Sequence, residues 1–397
     1  MTRVTDAVAR FTAVFDDVGR DAVARELDRR LPHAEVAALR DAGFTRVTVP
    51  EEFGGGGEPP SVLFALLAEL GRRDPNLAQL LRSHFSFVDR TILAAPSAER
   101  NRRLEMLAGG AIVGNATHER STAKVGSLST TLTASPDGLR LDGTKFYSTG
   151  TLFADVVSVA AQDEDGALVA ALVPTAASGV DVVDDWRGFG QRLTGSGTTV
   201  FRSVRVDERA VSRRVVGGPS HGGAFVQLVL LAAVAGIGRA IVDDAVAFVR
   251  NRTRTYSHAS TATAREDPLV QETIGRLSGL SFAADSALTA AAAGVDGSVA
   301  AQRAGVDGDD LREIIAPIEA ATARAQLVVL PSVLEAATLL FEVGGASAVD
   351  TGLALDRHWR NARTLASHNP VAFKARAIGD LLLNDTPVPG WWSTGEA

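Results

Sequence analysis

The hydrophobic periodicity of this chain changes twice along its length. Apolar residues recur at helical spacing before about residue 111 and after about residue 216, whereas short β-prone runs separated by turn-forming residues lie between. Helices and strands that are segregated in this way indicate an α+β fold rather than alternating βαβ units. We therefore expect an N-terminal helical domain (residues 1–111), a central β domain (112–215) and a C-terminal helical bundle (216–397).

The first helical unit contains a strong break. Leu63, Leu66 and Leu70 recur on one face of a predicted helix. Before them, the segment 49–53 (VPEEF) is followed by four consecutive glycines at positions 54–57. No regular element tolerates such a run well, so these glycines predict a loop.

The central unit shows strand and hairpin signals. The β-prone runs 156–159, 167–173 and 198–201 predict strands. Tight reversals are predicted at 136–138 (PDG) and 163–166 (DEDG), because acidic residues and glycine adopt turn conformations readily. This pattern predicts a small β domain that contains hairpins.

Long alanine-rich segments follow the β unit. Residues 237–249, 277–293 and 311–340 have helical periodicity and are long enough for a four-helix bundle. The longest apolar stretch, residues 222–238, includes Gln227 and is shorter than the roughly 20 residues that a membrane span requires. We interpret it as a buried core helix.

Composition and motifs exclude several function classes. The net charge of −7 argues against a nucleic-acid or anionic membrane partner. The absence of cysteine excludes disulfides and thiolate chemistry, so any redox reaction requires a cofactor. No Gly-x-Gly-x-x-Gly turn links a strand to a helix, no metal-ligand spacing surrounds His118 and Glu119, and no secretory signal is evident. We expect a cytoplasmic protein without its own NAD(P)H site or metal site.

Several segments, in this order, resemble the acyl-CoA dehydrogenase superfamily over essentially the whole chain. Two of them are typical of the superfamily: residues 40–55, with RDAGF and VPEEFGG, and residues 341–345, FEVGG. Three others resemble its flavin-dependent monooxygenases of the dibenzothiophene and sulfone type: residues 113–116 (VGNA), 143–150 (GTKFYSTG) and 356–370 (DRHWRNARTLASHNP).

The resemblance implies a two-component oxygenase. Such an enzyme takes reduced FMN from a separate NAD(P)H:flavin reductase, with FAD as an alternative flavin. It reacts the flavin with O2 through a C4a-(hydro)peroxyflavin, and oxygenates a sulfur, a nitrogen or an aromatic carbon of a small apolar substrate. The resemblance also implies a homotetramer, since the superfamily's glycine pair, here Gly344 and Gly345, approaches a neighbouring subunit's flavin.

The base of a dehydrogenase is missing. In most such members a glutamate removes the α-proton. Matching Arg360-Asn361-Ala362 to the family's Arg-Asp-Ala segment puts Asn369 at the glutamate position and His368 beside it. An amide cannot accept the proton. Asp243 or Asp244, on an earlier helix, could supply a displaced carboxylate, so an acyl-CoA dehydrogenase remains an alternative, as does a non-catalytic binding protein on the same fold.

The resemblance also suggests roles for individual residues. The candidate catalytic groups are His368, as hydrogen-bond donor to the flavin peroxide, with Ser148 and Asn115. The candidate flavin contacts are Asn115, Thr117, Tyr147, Ser148, Thr149, Trp186, Arg252, Arg254, Gly344, Gly345, His368 and Asn369; one of the two arginines is expected to bind the flavin phosphate. His84, Phe85 and Phe87 are candidates for the substrate pocket. Ordinary packing, turn bonding or helix-end charge compensation is the alternative for each.

Overall fold

The first part of the fold is helical. The computed structural model describes residues 2–120, 128–213, 218–253, 258–259 and 261–390. The helices before the first strand are α1 (Thr2–Gly19), α2 (Ala22–Asp28), α3 (His33–Asp41), α4 (Pro60–Arg73), α5 (Pro75–Leu80), α6 (Arg82–Leu93) and α7 (Ala98–Ala108). A short 3-10 turn, Glu51–Phe53, precedes the glycines at 54–57, which lie in a loop as predicted.

The central unit is one mixed sheet. Its strands are β1 (Val113–Ala116), β2 (Thr131–Ser135), β3 (Gly138–Lys145), β4 (Val156–Gln162), β5 (Leu168–Pro174), β6 (Val180–Val183), β7 (Thr198–Val206) and β8 (Val211–Arg213). The strand order is β6-β7-β3-β2-β4-β5-β8, and β1 pairs in parallel with β4. The predicted hairpins are confirmed, because β2 pairs antiparallel with β3 and β4 pairs antiparallel with β5.

The chain then returns to helices. They are α8 (Gly222–Asn251), α9 (Pro268–Arg303), α10 (Gly308–Leu339), α11 (Asp356–Ala366) and α12 (Val371–Asn384). The three long helices α8, α9 and α10 pack on one another, with α11 against α8 and α10, and α12 against α10. Helix α8 joins the predicted segments 222–238 and 237–249, and α10 lies within three residues of its predicted bounds. Helix α9 extends well beyond the predicted segment 277–293 at both ends. The predicted division at residues 215 and 216 lies outside the described residues.

The two helical units share one hydrophobic core, although about a hundred residues of β structure separate them in the chain. Helix α4 packs directly along α8. A Cβ added at Gly236 would lie 2.5 Å from the carbonyl oxygen of Ala68, so only glycine permits this close crossing. The β unit has its own core around Val157, Ala171 and Phe201.

Two described helices are long and apolar enough to pass a composition test for a membrane span. In α8 the most hydrophobic window is 78% buried within the protein, and in the segment 308–343 the corresponding value is 44%. The apolar stretch at 222–238 is therefore part of a core helix, as predicted, because its side chains already contact the surrounding helices.

Glu319 is a buried carboxyl group in α10 that makes stability depend on pH. It is 6% exposed, and its Oε1 accepts a hydrogen bond from the backbone N–H of Ala224 at 3.2 Å. Burial raises the pKa of Glu319 to about 8, against the opposing effects of that hydrogen bond and of Lys374. The folded protein therefore holds a proton that the unfolded chain releases near pH 4.5, and its stability should decrease as the pH rises between these values.

Glu319→Gln should remove this loss of stability, because glutamine keeps the acceptor for Ala224 and carries no charge. One pKa unit corresponds to about 1.4 kcal/mol, so we expect a gain on the order of 2 kcal/mol near pH 8 and little near pH 5. Thermal unfolding across this pH range measures the effect. Glu335→Gln, on an exposed part of the same helix, is the control. Parallel pH profiles for the wild type and Glu319→Gln would contradict the assignment.

Candidate functional site

Polar side chains gather where β1 meets the turn after β3. The hydroxyl of Thr117 donates to Oδ1 of Asn115 at 2.6 Å. Thr151 holds the backbone of Asn115 from the other side, since its Oγ1 accepts from the Asn115 N–H at 3.0 Å and donates to the Asn115 carbonyl at 3.1 Å. These bonds fix the backbone of β1 and orient the Asn115 amide.

Ser148 supplies a buried hydroxyl group to the same region. The side chain is 1% exposed, and its Oγ makes no hydrogen bond within the described part of the chain. The preceding residue, Tyr147, has a φ of 56°. At Gly150 a Cβ would lie 2.2 Å from the Leu80 carbonyl oxygen, so glycine lets this turn pack against the end of α5. A buried polar atom left free in this way is a candidate ligand contact.

Aromatic groups border the same turn. Tyr147 is 42% exposed, and its ring meets Trp186 edge-on at 6.1 Å between centroids and His118 at 5.2 Å. The indole N–H of Trp186 donates to the Gly190 carbonyl at 3.3 Å. Thr149 belongs to a buried pair of hydroxyls, with its Oγ1 2.8 Å from Oγ of Ser196. The structure thus brings the predicted residues Asn115, Thr117, Tyr147, Ser148, Thr149 and Trp186 to one region.

His368 lies in the turn after α11, where Nη1 of Arg82 approaches its Nε2 at 2.8 Å. Arginine can only donate, so Nε2 accepts and the imidazole proton is on Nδ1. The ring still reaches solvent, but the protein crowded around it, together with the positive charge of Arg82 and with His118, lowers the pKa of His368 to about 3. His368 is therefore a neutral donor near physiological pH. Because His118 also packs against Tyr147, His368 and Tyr147 border the same region.

Neither aspartate that could replace the missing base is available. Asp243 is exposed and paired with Arg72, at 2.5 and 2.9 Å. Burial would raise the pKa of Asp244, but His358 and Arg357, each 2.7 Å away, outweigh it and lower the pKa to about 2. Such a carboxylate is a weak proton acceptor. Asn369 is half-buried between α11 and α12.

The three residues predicted for a substrate pocket are packed in the protein core. His84 donates from Nε2 to the Thr45 carbonyl at 2.6 Å and accepts at Nδ1 from the Val113 N–H at 3.3 Å. Burial lowers the pKa of His84 to about 4. Both ring nitrogens are thus occupied by backbone groups. Phe85 is buried edge-on to Phe44, and Phe87 is in a separate cluster. These contacts favour packing roles over the substrate contact expected from the sequence.

Arg252 ends α8 next to the glycine pair. Its Nη1 donates to the Val343 carbonyl at 3.0 Å, immediately before Gly344 and Gly345. A Cβ at Gly344 would lie 2.4 Å from the ring of Phe248, so close packing within this chain already requires glycine there. Arg254, the other predicted phosphate ligand, lies outside the described residues.

The residue that sequence reasoning missed is Arg82. It lies two positions before His84 in the same segment, and its contact to His368 joins residues 286 positions apart. The local signal in the sequence was an arginine that follows two leucines. That signal did not identify His368 as the partner of Arg82.

The chain matches two family models, the acyl-CoA dehydrogenase N-terminal domain over residues 4–111 and the C-terminal domain over 228–373. It is 31% identical over 371 residues to a dibenzothiophene monooxygenase of Mycolicibacterium goodii, covering 89% of this chain and 88% of the relative. The probable FMNH2-dependent monooxygenase SfnC of Pseudomonas putida is 28% identical, with 98% and 97% covered.

Solved structures agree with these matches. TdsC from Paenibacillus sp. A11-2 with FMN and indole superposes with a TM-score of 0.87 at 28% identity, covering 98% of this chain and all of TdsC. The methanesulfinate monooxygenase MsuC from Pseudomonas fluorescens also gives 0.87, at 26% identity, covering 97% and 98%. The chain therefore belongs to the acyl-CoA dehydrogenase superfamily, within its branch of flavin-dependent monooxygenases.

Proposed function

We propose that this protein is the oxygenase component of a two-component system. It would receive reduced FMN from a separate flavin reductase and insert one oxygen atom of O2 into a sulfur, a nitrogen or an aromatic carbon of a small molecule. The observation that carries the proposal is the neutral His368, held by Arg82 and next to Asn369, which takes the position of the carboxylate in most dehydrogenases of the superfamily. Asp243 and Asp244 are both engaged in ion pairs. A site with this set of groups can donate hydrogen bonds but is poorly equipped to remove an α-proton.

The residues fit a flavin ring. The buried Oγ of Ser148 lacks a partner within the described part of the chain, and an acceptor at the edge of a heteroaromatic ring would satisfy it. Asn115 and the Tyr147–Trp186 pair would border the ring, while Arg252 would bind the phosphate in a homotetramer. When bound, reduced FMN supplies the electrons that activate O2. The chain's own contribution is to orient the ring, to exclude water and to keep a proton on Nδ1 of His368.

Exposed apolar side chains support the tetramer as part of the proposal. Phe282 on α9 and Leu383 on α12 are largely exposed in the single chain. Large apolar side chains at the surface of long helices are typical of subunit contacts. In the proposed tetramer a second subunit would cover them, and the resemblance implies that the glycine pair of one subunit approaches the flavin of a neighbour.

Two measurements test the proposed reaction. Under anaerobic conditions, the FMN-loaded protein should show no flavin bleaching when an acyl-CoA is added, whereas a dehydrogenase with a displaced base would bleach. Rapid mixing of the protein carrying reduced FMN with O2 should then give a transient absorbing species before oxidised FMN appears. Free reduced FMN, mixed in the same way, is the control. Bleaching by acyl-CoA would refute the proposal, and a protein that binds no FMN in either redox state would favour a non-catalytic binding role.

A further inference from the structure

Arg82 is a buried cation without a counter-charge in the part of the chain that the structure describes. It is the first residue of α6, it is 9% exposed, and its guanidinium contacts His368. No carboxylate lies within ion-pair distance of it among the described residues. Burial lowers the pKa of Arg82 to about 10, and no acidic group acts against this effect. Arg82 nevertheless stays charged at physiological pH.

The comparison with Arg25 shows what such a group normally needs. Arg25 is also buried, and its guanidinium is paired with Asp74 at 3.0 Å and with Glu35 at 2.9 Å. A buried charge lowers stability unless an opposite charge and hydrogen bonds compensate for it. Among the described residues, Arg82 makes one side-chain hydrogen bond, to a neutral imidazole, and its guanidinium has further N–H groups for another acceptor.

The other charged groups around this region compensate one another. Glu119 is bound to Lys145 at 2.6 Å and to the hydroxyls of Ser129 and Thr130. Asp185 accepts hydrogen bonds from Thr198 and remains a carboxylate that attracts Arg120, whose guanidinium lies 5.1 Å from the centroid of the Tyr147 ring. Arg82 has no carboxylate partner among the described residues, so the region between Arg82, His368 and Tyr147 has a positive potential that favours an anion.

We propose that Arg82 binds an oxyanion in the site, next to His368. A positively charged side chain is not needed merely to hold His368 in place, because a neutral amide could also donate a hydrogen bond to Nε2 of His368. The anion could come from either of two sources, a sulfinate or carboxylate group on the substrate or the negatively charged ring of reduced FMN. Only the second source rests on the proposed function, so the two are tested separately.

The first arm uses flavin-free protein and two small probes. Methanesulfinate is a monoanion, and dimethyl sulfoxide is a neutral molecule of similar size. If the substrate supplies the anion, calorimetry should show that the wild type binds methanesulfinate more tightly than dimethyl sulfoxide. Arg82→Gln should then weaken methanesulfinate about tenfold to a hundredfold, the range for a charge-assisted hydrogen bond, and leave dimethyl sulfoxide unchanged.

The second arm measures anaerobic binding of reduced and oxidised FMN. If the flavin supplies the anion, Arg82→Gln should weaken reduced FMN about tenfold or more relative to oxidised FMN, since only the reduced ring carries the charge. The bound flavin then becomes harder to reduce. Arg82→Lys keeps the positive charge. It should therefore retain most of the preference for methanesulfinate over dimethyl sulfoxide in the first arm, or for reduced over oxidised FMN in the second.

Arg209→Gln is the charge-matched control, because Arg209 is exposed and paired with Asp207 far from His368 in the sequence. It should change neither the methanesulfinate affinity nor the ratio of reduced to oxidised FMN binding. The proposal is overturned if folded Arg82→Gln leaves both the methanesulfinate affinity and the reduced-to-oxidised FMN ratio unchanged. If that variant does not fold, the wild type provides the test. The proposal is then overturned if the wild type binds methanesulfinate no more tightly than dimethyl sulfoxide and reduced FMN no more tightly than oxidised FMN.

Discussion

Replacement of His368 by alanine should lower product formation about 100-fold or more while the protein continues to consume O2. The expected cause is loss of a positioned hydrogen-bond donor, a contribution that is typically worth about 100-fold to 1,000-fold. Without it, the activated oxygen should leave as hydrogen peroxide. The measurement compares product, O2 consumed and peroxide released per reduced FMN. Binding of FMN should change far less than product formation.

A neutral replacement sharpens this test. The pKa of His368 is about 3, so the imidazole acts as a neutral donor over the working pH range. His368→Gln also provides a neutral donor, and it should retain more product formation than His368→Ala. Ser367→Ala alters the same turn, where the hydroxyl donates to the Arg363 carbonyl on the exposed side of α11, and it should remain close to the wild type. Full coupling in His368→Ala, without added peroxide, would exclude the proposed role.

Replacement of Arg25 by methionine should destabilise the protein by about 3–5 kcal/mol, the usual effect of removing one partner from a buried ion pair. The guanidinium of Arg25 joins α2 to Asp74 at the start of α5 and to Glu35 in α3, and it also donates to the Val18 carbonyl. Methionine fills similar space but removes the cation from Asp74 and leaves Glu35 with Arg30, 3.6 Å away. Thermal unfolding should show a clear decrease in Tm.

The double variant Arg25→Met with Asp74→Asn identifies the cause. If the uncompensated carboxylate dominates, the second change should recover part of the stability that the first one loses. Arg20→Met is the matched control, since Arg20 pairs with Asp17 at the surface, and it should have almost no effect. Equal losses of Tm for Arg20→Met and Arg25→Met would contradict the argument from burial.

Local signals predicted much of the fold. The turns at 136–138 and 163–166 gave the correct hairpins, because turn residues act on the backbone next to them. Helical periodicity located α8, α9 and α10 and predicted the ends of α10 to within three residues. It missed both ends of α9, because helix ends depend on packing against other helices. The shared core of α4 and α8 was not predicted, since it joins segments on either side of the β unit.

The candidate site was predicted unevenly. Resemblance to family motifs singled out Ser148 and Trp186, and the structure brings them to one region, where their roles remain proposals. His84 drew attention as a histidine beside two phenylalanines, yet its ring nitrogens bind backbone groups of Thr45 and Val113. Arg82, in the same short segment, contacts His368 instead. The spacing of residues along α6 did not show that His84 contacts the core whereas Arg82 contacts His368.

By itself, the sequence determined the order of helical and β units, the glycine loop, the turns, and the lack of an acid at Asn369. These features follow from residue type and from neighbours a few positions away. Only the tertiary structure decided which titratable groups are compensated: Asp244 by His358 and Arg357, and Arg82 by no carboxylate among the described residues. The state of a buried charge depends on atoms within a few ångströms, and folding brings those atoms from distant parts of the chain.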